Sequence, residues 1–117
     1  NNASYYGRVF ARSGGVRDAV EEVLRELGIK PEQFQLKPLA CSGLEECKLA
    51  LLKASKGILE ENFIEGMACE QGCIGGPGCL THGPKEKAMV DKYGRLALEK
   101  KVKDAVVIFD VLGGAEE

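Results

Sequence analysis

Apolar residues recur at helical spacing from Val16 onward. Val16, Ala19, Val20, Val23, Leu24 and Leu27 share one face, while Arg17, Asp18, Glu21, Glu22, Arg25 and Glu26 fill the other. Gly28 stands where a helix C-cap is expected and Pro31 blocks continuation. Before this helix, Tyr5 to Arg12 (YYGRVFAR) carries aromatic and β-branched residues and stops at Ser13-Gly14-Gly15, which predicts a strand running into a tight turn. After it, Phe34 to Ala40 alternates in the manner of a second strand, with Pro38 favouring an edge or a strand end. Ser42-Gly43-Leu44-Glu45 has the form of a capping box, opening a helix whose stripe is Leu44, Cys47, Leu51, Ala54 and Ile58. Asn62 to Ala68 predicts a third strand. Pro84 suits a first helical position, and Lys85 to Val102 is helical in period with an interruption at Gly94. Ala105 to Leu112 is too short a run to separate strand from helix.

The order is βαβαβ, for which a parallel sheet with crossover helices is the default. The expected fold is therefore a small α/β domain over residues 1–117: a mostly parallel sheet of three to four strands flanked by helices, with a glycine- and cysteine-rich loop after the third strand. Parallel strands put their C-terminal ends at one edge, where ligands sit in open α/β folds. That edge would gather Ser13-Gly14-Gly15, Cys41 and the Cys69–Cys73 loop.

Composition narrows the function classes. Apolar residues make up 44%, charged residues 29%, and the net charge is −2, as in a globular protein. Interleaved charges give no footprint for nucleic acid, and Ala105 to Phe109 is too short to span a bilayer. No stretch reads as a signal peptide. An odd set of five cysteines argues against a disulfide framework and for a reducing, cytoplasmic compartment. Asn1-Asn2, without an initiator methionine, suggests a chain cut from something longer.

Chemistry concentrates in Met67 to Cys79. Cys69 and Cys73 are separated by three residues and crowded by Gly66, Gly72, Gly75, Gly76 and Gly78. Thiolates are soft anionic donors suited to iron, and glycines let the backbone wrap closely around a bulky inorganic group. A plainer reading makes these cysteines small hydrophobes in a turn. Cys69, Cys73, Cys79 and His82 also form C-x₃-C-x₅-C-x₂-H, a ligand count that suits tetrahedral zinc. Spacing alone leaves iron–sulfur and zinc open.

Phe63 to Gly78 (FIEGMACEQGCIGGPG) resembles the last cysteine motif of the iron-only hydrogenase catalytic domain, F-x-E-x-M-A-C-x-G-G-C-x-x-G-G. Ser13-Gly14-Gly15-Val16-Arg17-Asp18-Ala19 is similar to the family's T/S-G-G-V-x-E-A segment, and Ser42-Gly43-Leu44-Glu45-Glu46-Cys47-Lys48 to its R-G-L-E-x-x-K segment, in the family's order. The resemblance implies a 4Fe–4S cluster joined to a di-iron centre, which together interconvert dihydrogen with protons and electrons. It implies Cys69 as a cluster ligand, Cys73 as the bridging ligand, and Met67 and Gly72 as residues against the cofactor.

The family's earlier motifs, T-S-C-C-P and M-P-C, are absent. The resemblance thus makes this chain the C-terminal portion of a catalytic domain, without cofactor and inactive alone. Its implied partners are the remainder of that domain, carrying the other cluster cysteines, and an electron-transfer protein or domain. Gln71 stands where the motif has glycine, and Gly75-Gly76-Pro77-Gly78-Cys79 replaces G-G-G-Q-P, which is similar to sensory or divergent branches of the family. Among the remaining candidates, Cys47 reads as core, Cys41 as structural, and His82 as an exposed residue before a helix. Glu65 reads equally as a strand residue or a buried carboxylate near the cofactor.

Overall fold

The computed structural model describes residues 3–109. Helices α1 (Tyr5–Arg8) and α2 (Gly15–Glu26) precede strand β1 (Pro38–Ser42), helix α3 (Leu44–Ser55) and strand β2 (Phe63–Met67). A 3₁₀ turn at Cys73–Gly75 and helices α4 (Pro84–Arg95) and α5 (Val102–Phe109) complete the order. The two strands pair in parallel, from Pro38 with Phe63 to Ser42 with Met67. Helix α3 connects them and packs on both, while α2 touches β1. The expected α/β class holds, with a smaller sheet.

The missing strand is Tyr5 to Arg12. Ser4 caps a helix there, its Oγ accepting from Gly7 N at 3.1 Å. Val9 closes that helix and is fully buried. All that remains of strand character is one antiparallel bridge from Arg12 to Gly72. Aromatic and β-branched content favours a strand only where a neighbouring strand can receive it; here Tyr5 and Val9 pack instead against α4. A Cβ on Gly94 would sit 2.8 Å from both, so the glycine permits a close helix crossing, and the expected interruption is real: α4 ends at Arg95 and α5 begins at Val102.

The second strand begins at Pro38, later than expected, with the proline at the first position, where its absent N–H costs least. The third falls inside its expected span. Gly28 (φ 74°) follows the C-cap of α2 in the left-handed region, as its position predicts. The capping box is displaced by one residue: Gly43 is the N-cap, and Glu46 rather than Glu45 reaches back to Ser42 N, at 3.0 Å. The run from Ala105 is helical through Phe109, and its last three residues lie outside the described set.

The described core is built from small residues: Val9, Ala19, Cys41, Ala50, Ala97 and Ala105. The α3 stripe does not join it, since Leu44, Leu51 and Ile58 are each more than 60% exposed. A two-stranded sheet is too narrow to cover a helix on every apolar side, and the face away from the strands stays open.

Candidate functional site

Loop 67–76 leaves β2 and is fastened to two other segments. Met67 O accepts from Gly43 N at 2.8 Å, and Ser42 Oγ accepts from Gln71 N at 2.6 Å. Gln71 O accepts from Ser13 N at 2.9 Å, and Ala11 O accepts from Ile74 N at 3.2 Å. The α1–α2 connection, the β1–α3 turn and the cysteine loop thus meet at the C-terminal edge of the sheet, the convergence expected from a parallel order.

Within the loop, Gly72 N donates to Cys69 O and Gly75 N to Gly72 O, each at 3.0 Å, winding the chain into the 3₁₀ turn. A Cβ on Gly72 would come within 2.7 Å of Ser13 N, and its φ of 83° is left-handed. A Cβ on Gly75 would collide with Glu70 O. Beside them Gln71 holds φ 68°, the one non-glycine in the left-handed region among the described residues. It stands where the family motif places glycine. Holding it there costs on the order of 1 kcal/mol.

All five cysteines are free thiols: Cys73 is exposed, Cys69, Cys79 and Cys47 half-buried, and Cys41 buried. A Cβ on Gly76 would lie 3.4 Å from the Cys69 sulfur, so the glycine lets the backbone pass close to it. Cys79 Sγ donates to Cys73 O at 3.1 Å, and His82 Nε2 lies 2.8 Å from Gly76 O. Cys79 and His82 are therefore engaged by loop carbonyls. No group of three or more His, Cys, Asp or Glu among the described residues is arranged to hold a metal ion. The four-ligand zinc set of the sequence is not brought together.

A cluster-type cofactor is a different question, because a cluster shares its ligands among polypeptide segments. The sulfur-only donors Cys69 and Cys73, on a loop whose glycines leave no room for side chains, fit such a group as half of its ligand set. Met67, half-buried at the end of β2, leads directly into them.

The other cysteines stand apart. Cys41 is buried in β1, and that burial pushes its thiol above its ordinary pKa, with the neighbouring Cys47 adding to the shift. Cys47 Sγ lies 3.6 Å from Met67 O and 3.9 Å from Cys41 O, so its thiol is packed against the ends of both strands.

Two polar side chains support the loop from behind. Glu65 is 4% exposed, and its carboxylate accepts from Gly14 N at 2.7 Å, Val16 N at 2.8 Å and Arg17 N at 3.3 Å. The sequence left it open between a strand residue and a buried carboxylate near the cofactor; it is a buried strand residue, and what its spacing does not show is that it caps α2. Arg12, 6% exposed, lies between Asp18 (3.0 Å) and Asp91 (2.5 Å). Burial works against its charge, but hydrogen bonds to Asp91 and Asp18 outweigh that and hold its pKa above the ordinary value. Asp91 lies on α4, so only the folded chain reveals the partner.

Among the described residues, no helix is long and apolar enough to cross a membrane. A search of curated proteins finds no match. The sequence model of the family described as "iron only hydrogenase large subunit, C-terminal domain" matches residues 1–77. That span contains α1 through the 3₁₀ turn with Cys69 and Cys73, and leaves α4 and α5 beyond it. The matched span covers most of the chain and carries a hydrogenase-like iron–sulfur theme, so the chain belongs to the family formed by the C-terminal domain of the iron-only hydrogenase large subunit.

Proposed function

We propose that this chain supplies two thiolate ligands of an iron-only hydrogenase-type cofactor whose remaining ligands come from another part of a larger domain. Cys69 would ligate a 4Fe–4S cluster and Cys73 would bridge it to a di-iron centre, with Met67 and Gly72 against the cofactor. When bound, that group supplies the reversible interconversion of dihydrogen with protons and electrons. The chain's own residues hold and bury it. Gly72 and Gly75 let the loop wind tightly against Ser13 and Glu70, and Ser42, through Gln71 N, fixes where the loop turns.

The observation that carries this reading is the fastened loop. Two sulfur donors sit on one glycine-wound segment tied to both neighbouring turns at the ligand edge of the sheet. The exposed leucines of α3 and the two-stranded sheet support the second half of the proposal, a partner surface from the rest of the domain; the five cysteines without a disulfide favour a reducing, cytoplasmic setting. An electron-transfer protein or domain would complete the system.

The left-handed Gln71 favours a second reading, a redox or hydrogen sensor without fast turnover. Gln71 replaces the glycine of the catalytic motif at this turn, and that departure is what motivates the sensor reading. Infrared spectroscopy on the matured, full-length polypeptide tests the main reading: bands of metal-bound carbonyl and cyanide are expected, and their absence from a fully matured sample refutes a complete cofactor. Vigorous hydrogen evolution by the same sample decides against the sensor.

A further inference from the structure

Cys79 lies outside the family-matched span and has no part in the ligand set proposed above. Its sulfur nevertheless sits 3.1 Å from the carbonyl oxygen of Cys73, the most exposed of the three cysteines in this region. Two successive turns bring them together: Gly76 N donates to Cys73 O at 3.0 Å, and Cys79 N to Gly76 O at 3.2 Å. The link contains Gly75, Gly76 and Gly78, and nothing lies within 4 Å of a Cβ placed on Gly78. The Cys79 side chain therefore already spans to the Cys73 backbone. A disulfide needs the Cys73 side chain turned toward that sulfur, and the intervening glycines are the residues free to adjust for it.

We propose that Cys73 and Cys79 form a thiol–disulfide exchange site that reacts with low-molecular-weight disulfides. The Cys73 thiol gives its proton to water and its sulfur attacks one sulfur of the small disulfide; that S–S bond breaks and one small thiol leaves, taking a proton from water. The Cys79 thiol gives its proton to water and attacks the Cys73 sulfur, breaking the mixed disulfide and releasing the second small thiol. Two protein thiols are oxidised to one disulfide, and one small disulfide is reduced to two thiols. Cys73 in the disulfide has no thiolate to offer a metal, so oxidation would close the half-site to its cofactor; that consequence rests on the function proposed above, whereas the exchange does not.

The test treats the metal-free chain with glutathione disulfide and measures intact mass and peptide fragments without reduction. Cys69, Cys73 and Cys79 share the tryptic fragment between Lys56 and Lys85, so serine variants assign the bond. The unsubstituted chain and Cys69→Ser are expected to lose two hydrogens and carry no glutathione. Cys79→Ser is expected to retain one glutathione on Cys73. A persistent adduct on Cys73 in the unsubstituted chain overturns the proposal, as does a bond that needs Cys69 or no reaction at all. Iron uptake, measured separately on the reduced full-length protein, is expected to be unchanged by Cys79→Ser. Loss of iron there would make Cys79 a ligand and refute the ligand set, whatever the disulfide result.

Discussion

The Glu65 carboxylate accepts the backbone N–H of Gly14 at 2.7 Å, tying the strand that carries the cysteine loop to the first turn of α2. Val16 N and Arg17 N share the same carboxylate, so one buried charge satisfies three amides that a helix leaves without partners. The glycine-rich turn and the F-x-E-x-M segment, far apart in sequence, are two sides of a single contact.

Replacing Glu65 separates its two roles. Glu65→Gln keeps an acceptor but loses the charge, and should cost about 1–2 kcal/mol; Glu65→Ala strands the amides and should cost about 3 kcal/mol. Urea unfolding followed by circular dichroism measures both. Equal, negligible losses would mean that α2 is capped by water.

Gln71 offers the opposite sign. At φ 68° it holds a conformation that glycine adopts freely, so Gln71→Gly should stabilise the chain by about 0.5 kcal/mol after the extra entropy of glycine in the unfolded chain. The urea midpoint should rise. A fall would show that the Gln71 side chain makes a stabilising contact of its own.

Acid should weaken the α1–α2 contact. Hydrogen bonding from Arg25 holds the Glu22 carboxyl below its ordinary pKa, and Tyr6 Oη donates to the same group at 3.2 Å. A lowered native pKa gives stability that is present above the unfolded carboxyl value of about 4.3 and is lost as pH falls through the folded one. Unfolding midpoints from pH 7 down to pH 3 should therefore decline, and more shallowly in Glu22→Gln. Parallel curves would remove Glu22 from the account.

The fold was partly legible in the sequence. Helix α2 announced itself because a full apolar stripe, a stop glycine and a proline agree, and β2 because its flanks are unambiguous. Tyr5 to Arg12 misled because its residues suit either a strand or the face of a helix, and only the crossing at Gly94 decides between them. The α3 stripe misled differently: its period is helical, but the period does not say which side the protein covers, and Leu44 and Leu51 face outward. At the site, Cys69, Cys73 and the glycines were visible as a cluster. Ser42, Glu65 and Arg12 act through contacts across 29, 51 and 79 positions, which no local spacing encodes.

The proposed iron-holding pair is Cys69 and Cys73, and not the other three cysteines of this chain. Its most direct measurement is the iron and sulfide content of the full-length polypeptide after anaerobic reconstitution, with each cysteine changed to serine in turn. Cys69→Ser and Cys73→Ser should lose most of the cluster's iron and its visible absorption, while Cys41→Ser, Cys47→Ser and Cys79→Ser keep both. Full iron in Cys69→Ser and Cys73→Ser would contradict the account.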